Sequence, residues 1–310
     1  MEKRCKVCVT GGSSYIGSYL IKKLLEKGYI VHTTLRNLND EAKIGILRSF
    51  PEANTRLVLF KADIYKPHEF EPAIKGCEFV FHIATPYEHQ MDSQFKSTSE
   101  AAVAAVKSIA SYCIESGTVK RLIYTASLLA YSPYKDDGTG FKDYIDETCW
   151  TSLNLLNRTI DDDLTNYINS KTQAEKELLS YENGENGSEM EVVKDDETTY
   201  QTLKFIEDLD GKIPVVHIDD VCEALIFCTK KPSMHGRFLV AAAYVSSSDV
   251  ANYYFQTYPE FKLKRKYLEG PKREIKWAST KLKDKGFAYN HDLNKILDDC
   301  ITCARRIGDL

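Results

Sequence analysis

The order of secondary-structure elements predicts an α/β fold built on a doubly wound parallel sheet. Short apolar runs alternate with helical patterns through the first half of the chain, and a glycine cluster joins the first run to the first helix. Strands that alternate with helices form parallel βαβ units, and right-handed crossovers place the helices on both faces of the sheet. The first half of the chain should therefore contain one large sheet.

Each strand predicted in this half is a short apolar run. The predicted strands are Lys6–Thr10, Ile30–Arg36, Arg56–Lys61, Phe79–Ile83 and Arg121–Thr125. Between them, apolar residues that recur every three to four positions predict helices. These helices are Tyr15–Lys27, Asp40–Ser49, Glu69–Lys75 and Gln94–Ser116.

The second half is less regular and begins with a loop-rich interval, 131–164. A helix is predicted at Asn166–Tyr181, and in the polar segment after it only Met190, Val192 and Val193 resemble a strand. Regular patterns then return. They predict helices at Asp219–Cys228, Ser247–Tyr258 and Asp292–Ile307 and a strand at Arg237–Val240.

Composition excludes several classes of protein. The chain has 310 residues, 43% of them hydrophobic, which is enough for a sizeable core. A formal net charge of -4 supplies no basic field for a phosphate backbone, so we expect no nucleic-acid partner. Small molecules are the expected partners, and the chain is expected to be a monomer or homodimer.

The cysteines and the first ten residues indicate a reducing compartment. Of nine cysteines, two pairs have C-x-x-C spacing, but Cys5 and Cys8 alternate in a strand and Cys300 and Cys303 lie on an amphipathic helix. We interpret them as free thiols and expect no metal site.

No signal-peptide block precedes the first strand, and no apolar run approaches the roughly 18 residues of a membrane span. A cytoplasmic protein is expected.

The glycine cluster lies where a dinucleotide would bind. Residues 10–17 read TGGSSYIG and stand directly after the first strand, at the opening of the first helix. Glycines there allow a tight turn and a close backbone approach to a pyrophosphate, whose charge meets the helix N-terminus. The predicted cofactor-binding residues of this loop are Gly11, Gly12, Ser14, Tyr15, Ile16 and Gly17, and the fold is therefore of the Rossmann type.

The end of the second strand indicates which dinucleotide is preferred. NAD-selective sites usually carry an acidic residue at this point for the ribose hydroxyls, but this chain has Arg36. A guanidinium attracts the additional 2′-phosphate of NADP, and Lys43 in the following helix adds positive charge. NADPH is therefore the predicted cofactor.

A tyrosine, a lysine and a serine form the predicted catalytic group. Tyr167 and Lys171 are four residues apart, which places both side chains on one face of a helix. A lysine cation lowers the pKa of a nearby phenol, so that Tyr167 can supply a proton to a carbonyl that accepts hydride. Ser127 ends the fifth strand, at the carboxyl edge where such folds bind ligands, and is predicted to donate a hydrogen bond to the same oxygen.

At this point the chain resembles the extended short-chain dehydrogenases/reductases, and among them the plant group of dihydroflavonol, anthocyanidin and vestitone reductases. The similar segments span nearly the whole chain. They are VCVTGGSSYIGSYL from Val7, GYIVHTTLRN from Gly28, FKADIYKP from Phe60, GCEFVFHIATP from Gly76, VKRLIYTAS from Val119, IDETCW from Ile145, YINSKTQAEKEL from Tyr167, VVHIDDVCEA from Val215 and STKLKDKGF from Ser279.

The resemblance implies an NADPH-dependent reduction of a carbonyl or related group on a flavonoid-like phenolic substrate. It implies that Asp63 and Ile64 flank the adenine and that Ala84 and Thr85 line the nicotinamide ribose. Lys171 would hold that ribose as well. We expect an NADP-binding domain with the catalytic helix at 1–185 and a smaller, mixed α/β substrate-binding region at 186–310.

Two departures from the family are visible. Ser14 replaces the middle glycine of the phosphate loop, so a side chain stands where backbone usually approaches the pyrophosphate. We expect a modest effect, either weaker binding or an added hydroxyl donor. After Val193 the chain passes directly to a charged segment, and roughly 25 residues are missing relative to the family, more than a parallel crossover readily loses. We therefore expect an incomplete sixth strand and an opened substrate wall.

Two alternatives remain open beside the reductase. A cofactor-binding but catalytically impaired variant would bind NADPH without oxidising it, and the shortened segment favours it. An NAD-dependent sugar-nucleotide epimerase or dehydratase would retain NAD, and Arg36 opposes it.

Several polar clusters have a structural and a functional interpretation. We expect His217, Asp219 and Asp220 to cap and pack a helix rather than bind a metal, and the acidic run 161–163 to interact with a helix dipole or solvent. Tyr131 and Tyr134 either line an aromatic pocket or simply pack.

Overall fold

The computed structural model describes residues 5–86, 89–135, 137–152, 162–181, 189–194, 206–232, 234–260 and 275–308. It divides into two compact units. The first comprises residues 1–131, 152–195 and 222–238, and the second comprises 132–151, 196–221 and 239–310. Residue 185, the predicted domain boundary, therefore falls inside the sequence range of the first unit.

Eleven strands, numbered along the chain, lie in the described ranges. They are β1 Lys6–Thr10, β2 Ile30–Leu35, β3 Leu57–Lys61, β4 Phe79–His82, β5 Arg121–Ala126, β6 Tyr144–Ile145, β7 Glu189–Lys194, β8 Ile213–Val215, β9 Gly236–Phe238, β10 Ala243–Val245 and β11 Lys276–Trp277. Seven form one parallel sheet in the order β3-β2-β1-β4-β5-β7-β9. The doubly wound parallel sheet is thus confirmed, and the strand order reverses between β1 and β4, where such folds bind ligands.

Helices connect these strands. They are α1 Tyr15–Glu26, α2 Glu41–Arg48, α3 Ala53–Arg56, α4 Glu71–Ile74, α5 Thr98–Glu115, α6 Asp162–Ser180, α7 206–210, α8 Ile218–Cys228, α9 Ser247–Thr257, α10 Lys281–Asp284 and α11 Leu293–Ile307. None of the helices in the described part of the chain has both the length and the apolar character that a membrane span requires.

Several helix boundaries differ from the prediction, and α6 begins at Asp162 rather than at Asn166. The helix expected at Glu69–Lys75 is a 3-10 turn, Pro67–Phe70, followed by the single α-helical turn of α4. The long helix expected from Gln94 begins only at Thr98, because the Ser97 hydroxyl accepts a hydrogen bond from the Glu100 amide and caps α5 there.

β7 corrects the expectation of an incomplete sixth strand. Its six residues pair with β5 from Arg121↔Glu189 to Ala126↔Lys194, and β9 pairs with its other edge. Charged residues at 189, 191 and 194 interrupt the apolar pattern of this segment, so the sequence indicated only part of a strand that backbone pairing extends over six residues. The charged segment that follows, where the shortening was predicted, lies at 195–205, outside the described residues.

One face of the sheet packs against α5 and α6. Val80 and Leu122 contribute from the sheet, Ile109 from α5, and Ala174 and Leu178 from α6, and all are almost fully buried. Small residues on both helices allow their backbones to approach closely. This packing fixes α6, which carries the Tyr-x-x-x-Lys pair, against the sheet.

The second unit has two small sheets, β8 with β10 in antiparallel orientation and β6 with β11 in parallel. Its last helix, α11, is held by tyrosines of α9 and the residue after it. The hydroxyls of Tyr253 and Tyr258 each donate to Asp298 Oδ1 at 2.8 Å, and Tyr254 donates to the Leu297 carbonyl at 3.1 Å.

The carboxyl ends of β1 and β4 are joined through the Thr10 hydroxyl. It accepts hydrogen bonds from the amides of Ile83 at 3.0 Å and Ala84 at 3.1 Å, and it lies 2.8 Å from Nδ1 of His82. With both lone pairs occupied, the hydroxyl donates its one hydrogen to His82, so Nδ1 is unprotonated and the ring is the Nε2–H tautomer. Burial, reinforced by the positive charge of Lys171, lowers the pKa of His82 to about 3.

This shift makes stability dependent on pH. Because the pKa of His82 is lower in the folded chain than its ordinary value of 6.5, the unfolded chain binds more protons between pH 3 and 6.5. Its contribution to stability is therefore complete above pH 6.5 and falls by about 1.4 kcal/mol for each pH unit below that. Urea denaturation between pH 6 and pH 4 measures how the unfolding free energy depends on pH. We expect His82→Asn to remove the part of this pH dependence that His82 contributes.

The exposed His68 provides the control for this measurement. The variant His68→Asn should retain the wild-type slope over the same pH range. Equal slopes for wild type and His82→Asn would show that His82 does not titrate differently in the folded and unfolded chain.

Candidate active site

The loop between β1 and α1 has the tight turn predicted from its glycines. Gly11 has a φ of +70°, a conformation that side chains disfavour, and a Cβ there would lie 3.0 Å from the Ala84 backbone. At Gly12 a Cβ would overlap the Thr33 hydroxyl, and at Gly17 it would overlap the Gly11 carbonyl oxygen. The glycines thus let the loop pack against β2, against itself and against the segment after β4. Such a loop at a helix N-terminus fits a dinucleotide pyrophosphate.

Ser14 has a role in this loop that the sequence did not indicate. Its hydroxyl donates to the Gly11 carbonyl at 2.8 Å and accepts from the Gly17 amide at 3.1 Å, so it caps α1. The side chain turns back into the loop and connects its two ends. The departure from glycine therefore adds an N-cap to the helix whose N-terminus is the predicted phosphate site.

The two predicted cations near β2 have different surroundings. Arg36 is exposed and has no hydrogen-bond or ion-pair partner within the described ranges. Lys43 already has an ion-pair partner, because its Nζ lies 3.1 Å from Asp40 Oδ2. Asp40 caps α2 through a hydrogen bond from the Lys43 amide, and this bond is the main reason that the pKa of Asp40 lies below its ordinary value.

The predicted adenine and ribose residues follow β3 and β4. Asp63 is held in place by its own loop, where Oδ1 accepts from the Tyr65 amide at 3.0 Å, while Ile64 is buried. The Ala84 amide is fixed by Thr10, and the Thr85 hydroxyl donates to the Ile83 carbonyl at 3.4 Å. Gly11 and Ala84 are in close approach, so the structure brings the phosphate loop and the predicted ribose segment together.

Ser127 and Lys171 both lie against the end of β5. Lys171 is only 4% exposed as a residue, and its ammonium donates to the Thr125 carbonyl at 2.8 Å. The Ser127 hydroxyl is fully buried and accepts a hydrogen bond from the Leu129 amide at 3.2 Å. Its own hydrogen has no acceptor in the described part of the chain and remains available to a ligand. Tyr167 is half-buried and lies one helical turn before Lys171 on α6.

Three buried polar side chains close to this site were missed by the sequence analysis. Thr10 and His82 form the hydrogen-bonded connection between β1 and β4, and the ring of Tyr124 lies beneath the Lys171 ammonium with its centroid 5.2 Å from Nζ. Each occupies a strand position that the alternation rule assigns to the core. A polar atom at such a position requires a partner, and this was the signal that could have identified them.

The cluster around His217 caps and packs a helix as expected, but the capping side chain is the imidazole and not an aspartate. His217 Nδ1 accepts from the Asp219 amide at 3.1 Å, so the imidazole caps α8. Asp220 is fully buried and accepts from the amides of Asn290 and His291 and from His291 Nδ1. Ligand atoms of Asp219, Asp220 and His291 lie within 4.8 Å of one another, but those of Asp220 already have hydrogen-bond partners.

The aromatic and thiol side chains that sequence analysis singled out are also located. Tyr131 is buried, and the Tyr134 ring lies 4.7 Å from that of Phe141. All nine cysteines are free thiols, and Cys300 and Cys303 are exposed.

Sequence comparisons show what the chain is similar to. The profile of the NAD dependent epimerase/dehydratase family matches residues 7–241. Anthocyanidin reductase of Arabidopsis thaliana is 32% identical over 96% of this chain and 93% of the relative. Vestitone reductase of Medicago sativa is 31% identical over 100% of this chain and 99% of the relative.

Solved structures agree with these matches. The crystal structure of vestitone reductase from Medicago sativa superimposes with a TM-score of 0.81, covering 98% of this chain and 99% of that one at 30% identity. The structure of yeast methylglyoxal/isovaleraldehyde reductase complexed with NADPH has a TM-score of 0.74 at 18% identity over 98% of this chain and 100% of that one, a likeness of fold. The resemblance found from the sequence is confirmed, and this chain belongs to the NAD dependent epimerase/dehydratase family, the extended short-chain dehydrogenases/reductases.

Proposed function

We propose that this chain is an NADPH-dependent reductase of a carbonyl or related group on a flavonoid-like phenolic substrate. The observation that carries the proposal is the buried Lys171 ammonium at the carboxyl end of β5, beside Ser127 and one helical turn from Tyr167. A buried charge at a ligand-binding edge of the sheet is expected where a proton is to be transferred.

The three side chains have separate tasks in this mechanism. NADPH, when bound, supplies the hydride. Tyr167 donates a proton to the substrate oxygen, and the Lys171 cation lowers the pKa of the phenol so that the transfer is easier. Ser127 donates the hydrogen that has no acceptor among the described residues to the same oxygen, and it thereby orients the carbonyl.

The preference for NADPH rests on Arg36. Arg36 is exposed at the end of β2 and has no partner among the described residues, so its guanidinium can bind a 2′-phosphate with two parallel hydrogen bonds. Lys43 contributes less, because it would first have to give up its ion pair with Asp40. Residues 11–17 would hold the pyrophosphate, while Asp63, Ile64, Ala84 and Thr85 would flank the adenosine and the nicotinamide ribose.

The substrate class follows from the relatives. Their names describe reductases of anthocyanidins, dihydroflavonols and vestitone. The likeness to the anthocyanidin and vestitone reductases covers nearly the full length of both chains. An aromatic phenolic ligand is consistent with the tyrosines at positions 131 and 134. A cytoplasmic location, a substrate-binding role for the region 186–310, and a monomer or homodimer belong to the same proposal.

A second candidate is the cofactor-binding but catalytically impaired variant. The alignment with vestitone reductase extends over 333 positions while this chain has 310 residues, so part of the relative has no counterpart here. Such a loss in the substrate wall would leave NADPH binding intact and reduce turnover. NADPH binding without oxidation across the whole substrate panel would favour this candidate.

The role of Tyr167 is tested by Tyr167→Phe, which removes only the phenolic hydroxyl. We expect kcat to fall by about 10²- to 10⁴-fold, because the general acid is lost, while NADPH still binds. The measurement is NADPH oxidation at 340 nm with dihydroflavonols, anthocyanidins and vestitone. The exposed Tyr144 gives the matched control Tyr144→Phe, and equal rates for wild type and Tyr167→Phe would contradict the mechanism.

The role of Arg36 is tested by Arg36→Ala in fluorescence titrations with NADPH and NADH. We expect the Kd for NADPH to rise about tenfold to a hundredfold, because charge-assisted hydrogen bonds to the 2′-phosphate are lost, while the Kd for NADH stays nearly constant. Lys43→Ala should have the smaller effect. If Arg36→Ala weakens both cofactors equally, Arg36 does not recognise the 2′-phosphate.

A further inference from the structure

The Lys171 ammonium must be stabilised where it lies. With 4% of the residue exposed, it has lost nearly all of its hydration, and burial favours the neutral amine. The hydrogen bond to the Thr125 carbonyl at 2.8 Å replaces part of that hydration. The proposed mechanism nevertheless needs the cation.

The ring of Tyr124 is an aromatic partner of the same ammonium. Tyr124 immediately precedes Thr125 on β5, is 2% exposed, and lies with its ring centroid 5.2 Å from Lys171 Nζ. The face of an aromatic ring carries partial negative charge and attracts a cation at this distance, most strongly when water is excluded. We propose that Tyr124 is a positioning residue, whose ring holds the Lys171 ammonium in the catalytic site by a cation–π interaction.

The titratable groups around the Tyr124–Lys171 pair are consistent with this role. They are His82 on β4, and Tyr167 and Glu175 on α6, the helix that also carries Lys171. The His82 ring centroid lies 5.3 Å from that of Tyr124, and the low pKa of His82 keeps its imidazole neutral, so it adds no opposing charge. Burial raises the pKa of Tyr124 well above its usual value, with smaller contributions from Glu175 and Tyr167. Tyr124 therefore remains a neutral phenol and does not replace Tyr167 as the acid.

The inference rests on the proposed function and deepens it. If the aromatic face is weakened, Lys171 loses its proton at lower pH, and the active form, with both Tyr167 and Lys171 protonated, disappears earlier on the alkaline side. A cation–π interaction in a desolvated site is strong enough to move this midpoint down by about one pH unit. The contact of Lys171 with a cofactor ribose should weaken over the same pH range.

The test changes the electrostatics of the ring while keeping its shape. Three chains are compared: wild type, Tyr124→Phe, and a chain with 3,4,5-trifluorophenylalanine at position 124, where fluorine withdraws charge from the ring face. We expect Tyr124→Phe to retain the wild-type alkaline midpoint of kcat/KM and the wild-type Kd for NADPH. The fluorinated ring should lower the midpoint by about one unit and, at pH 9, weaken NADPH binding by about threefold to tenfold.

Two comparisons separate positioning from packing. Phe81→Leu removes a fully buried ring from the opposite face of β4, and it should lower the melting temperature without moving the midpoint. Identical midpoints and Kd values for phenylalanine and its trifluoro analogue would overturn the proposal, as would a Tyr124→Phe chain that behaves like the fluorinated one.

Failure of the proposed function gives a different result. If wild type binds NADPH but oxidises none, the reductase proposal fails, and the pH dependence of the NADPH Kd across the three chains still decides the role of Tyr124. If wild type binds no NADPH, both proposals are overturned.

Discussion

The Thr10 hydroxyl makes three hydrogen bonds at the point where the strand order reverses, and the arrangement of the candidate site depends on them. Its two acceptor bonds fix the backbone after β4, which brings Ala84 close to Gly11. Its donor bond fixes the orientation of the His82 ring. That ring packs beside Tyr124, which lies against Lys171. A single hydroxyl therefore connects the loop expected to hold phosphate with the side chains expected to transfer a proton.

Much of the fold was predictable because it follows hydrophobic periodicity. β1 matches its prediction residue for residue, and the other four early strands differ by one residue at an end. The two- and three-residue strands β6, β8, β10 and β11 were missed, because so few residues give no periodic signal. The full length of β7 was missed for another reason, since its pairing is made by backbone atoms within a segment whose side chains look like a loop.

The candidate site was predictable in its sequence motifs but not in its supporting contacts. Sequence motifs identified the glycine loop and the group of Ser127, Tyr167 and Lys171. Their residue types and spacing are typical of dinucleotide binding and of proton transfer to a carbonyl. Thr10, His82 and Tyr124 were not identified, because their importance arises from neighbours that are distant in sequence, such as the 72 positions between Thr10 and His82. The sequence also did not predict that Arg36 and Lys43 have different surroundings. Asp40 pairs with Lys43 and caps α2 only once the helix has formed.

Ser14 affects the moment at which the phosphate loop becomes ordered. A loop of glycines has many conformations, and part of the free energy of ligand binding is normally lost in selecting one of them. Here the Ser14 hydroxyl joins the Gly11 carbonyl to the Gly17 amide within the protein itself. The conformational entropy of residues 11–17 is thus given up when the chain folds, and a dinucleotide meets a loop that is already preorganised.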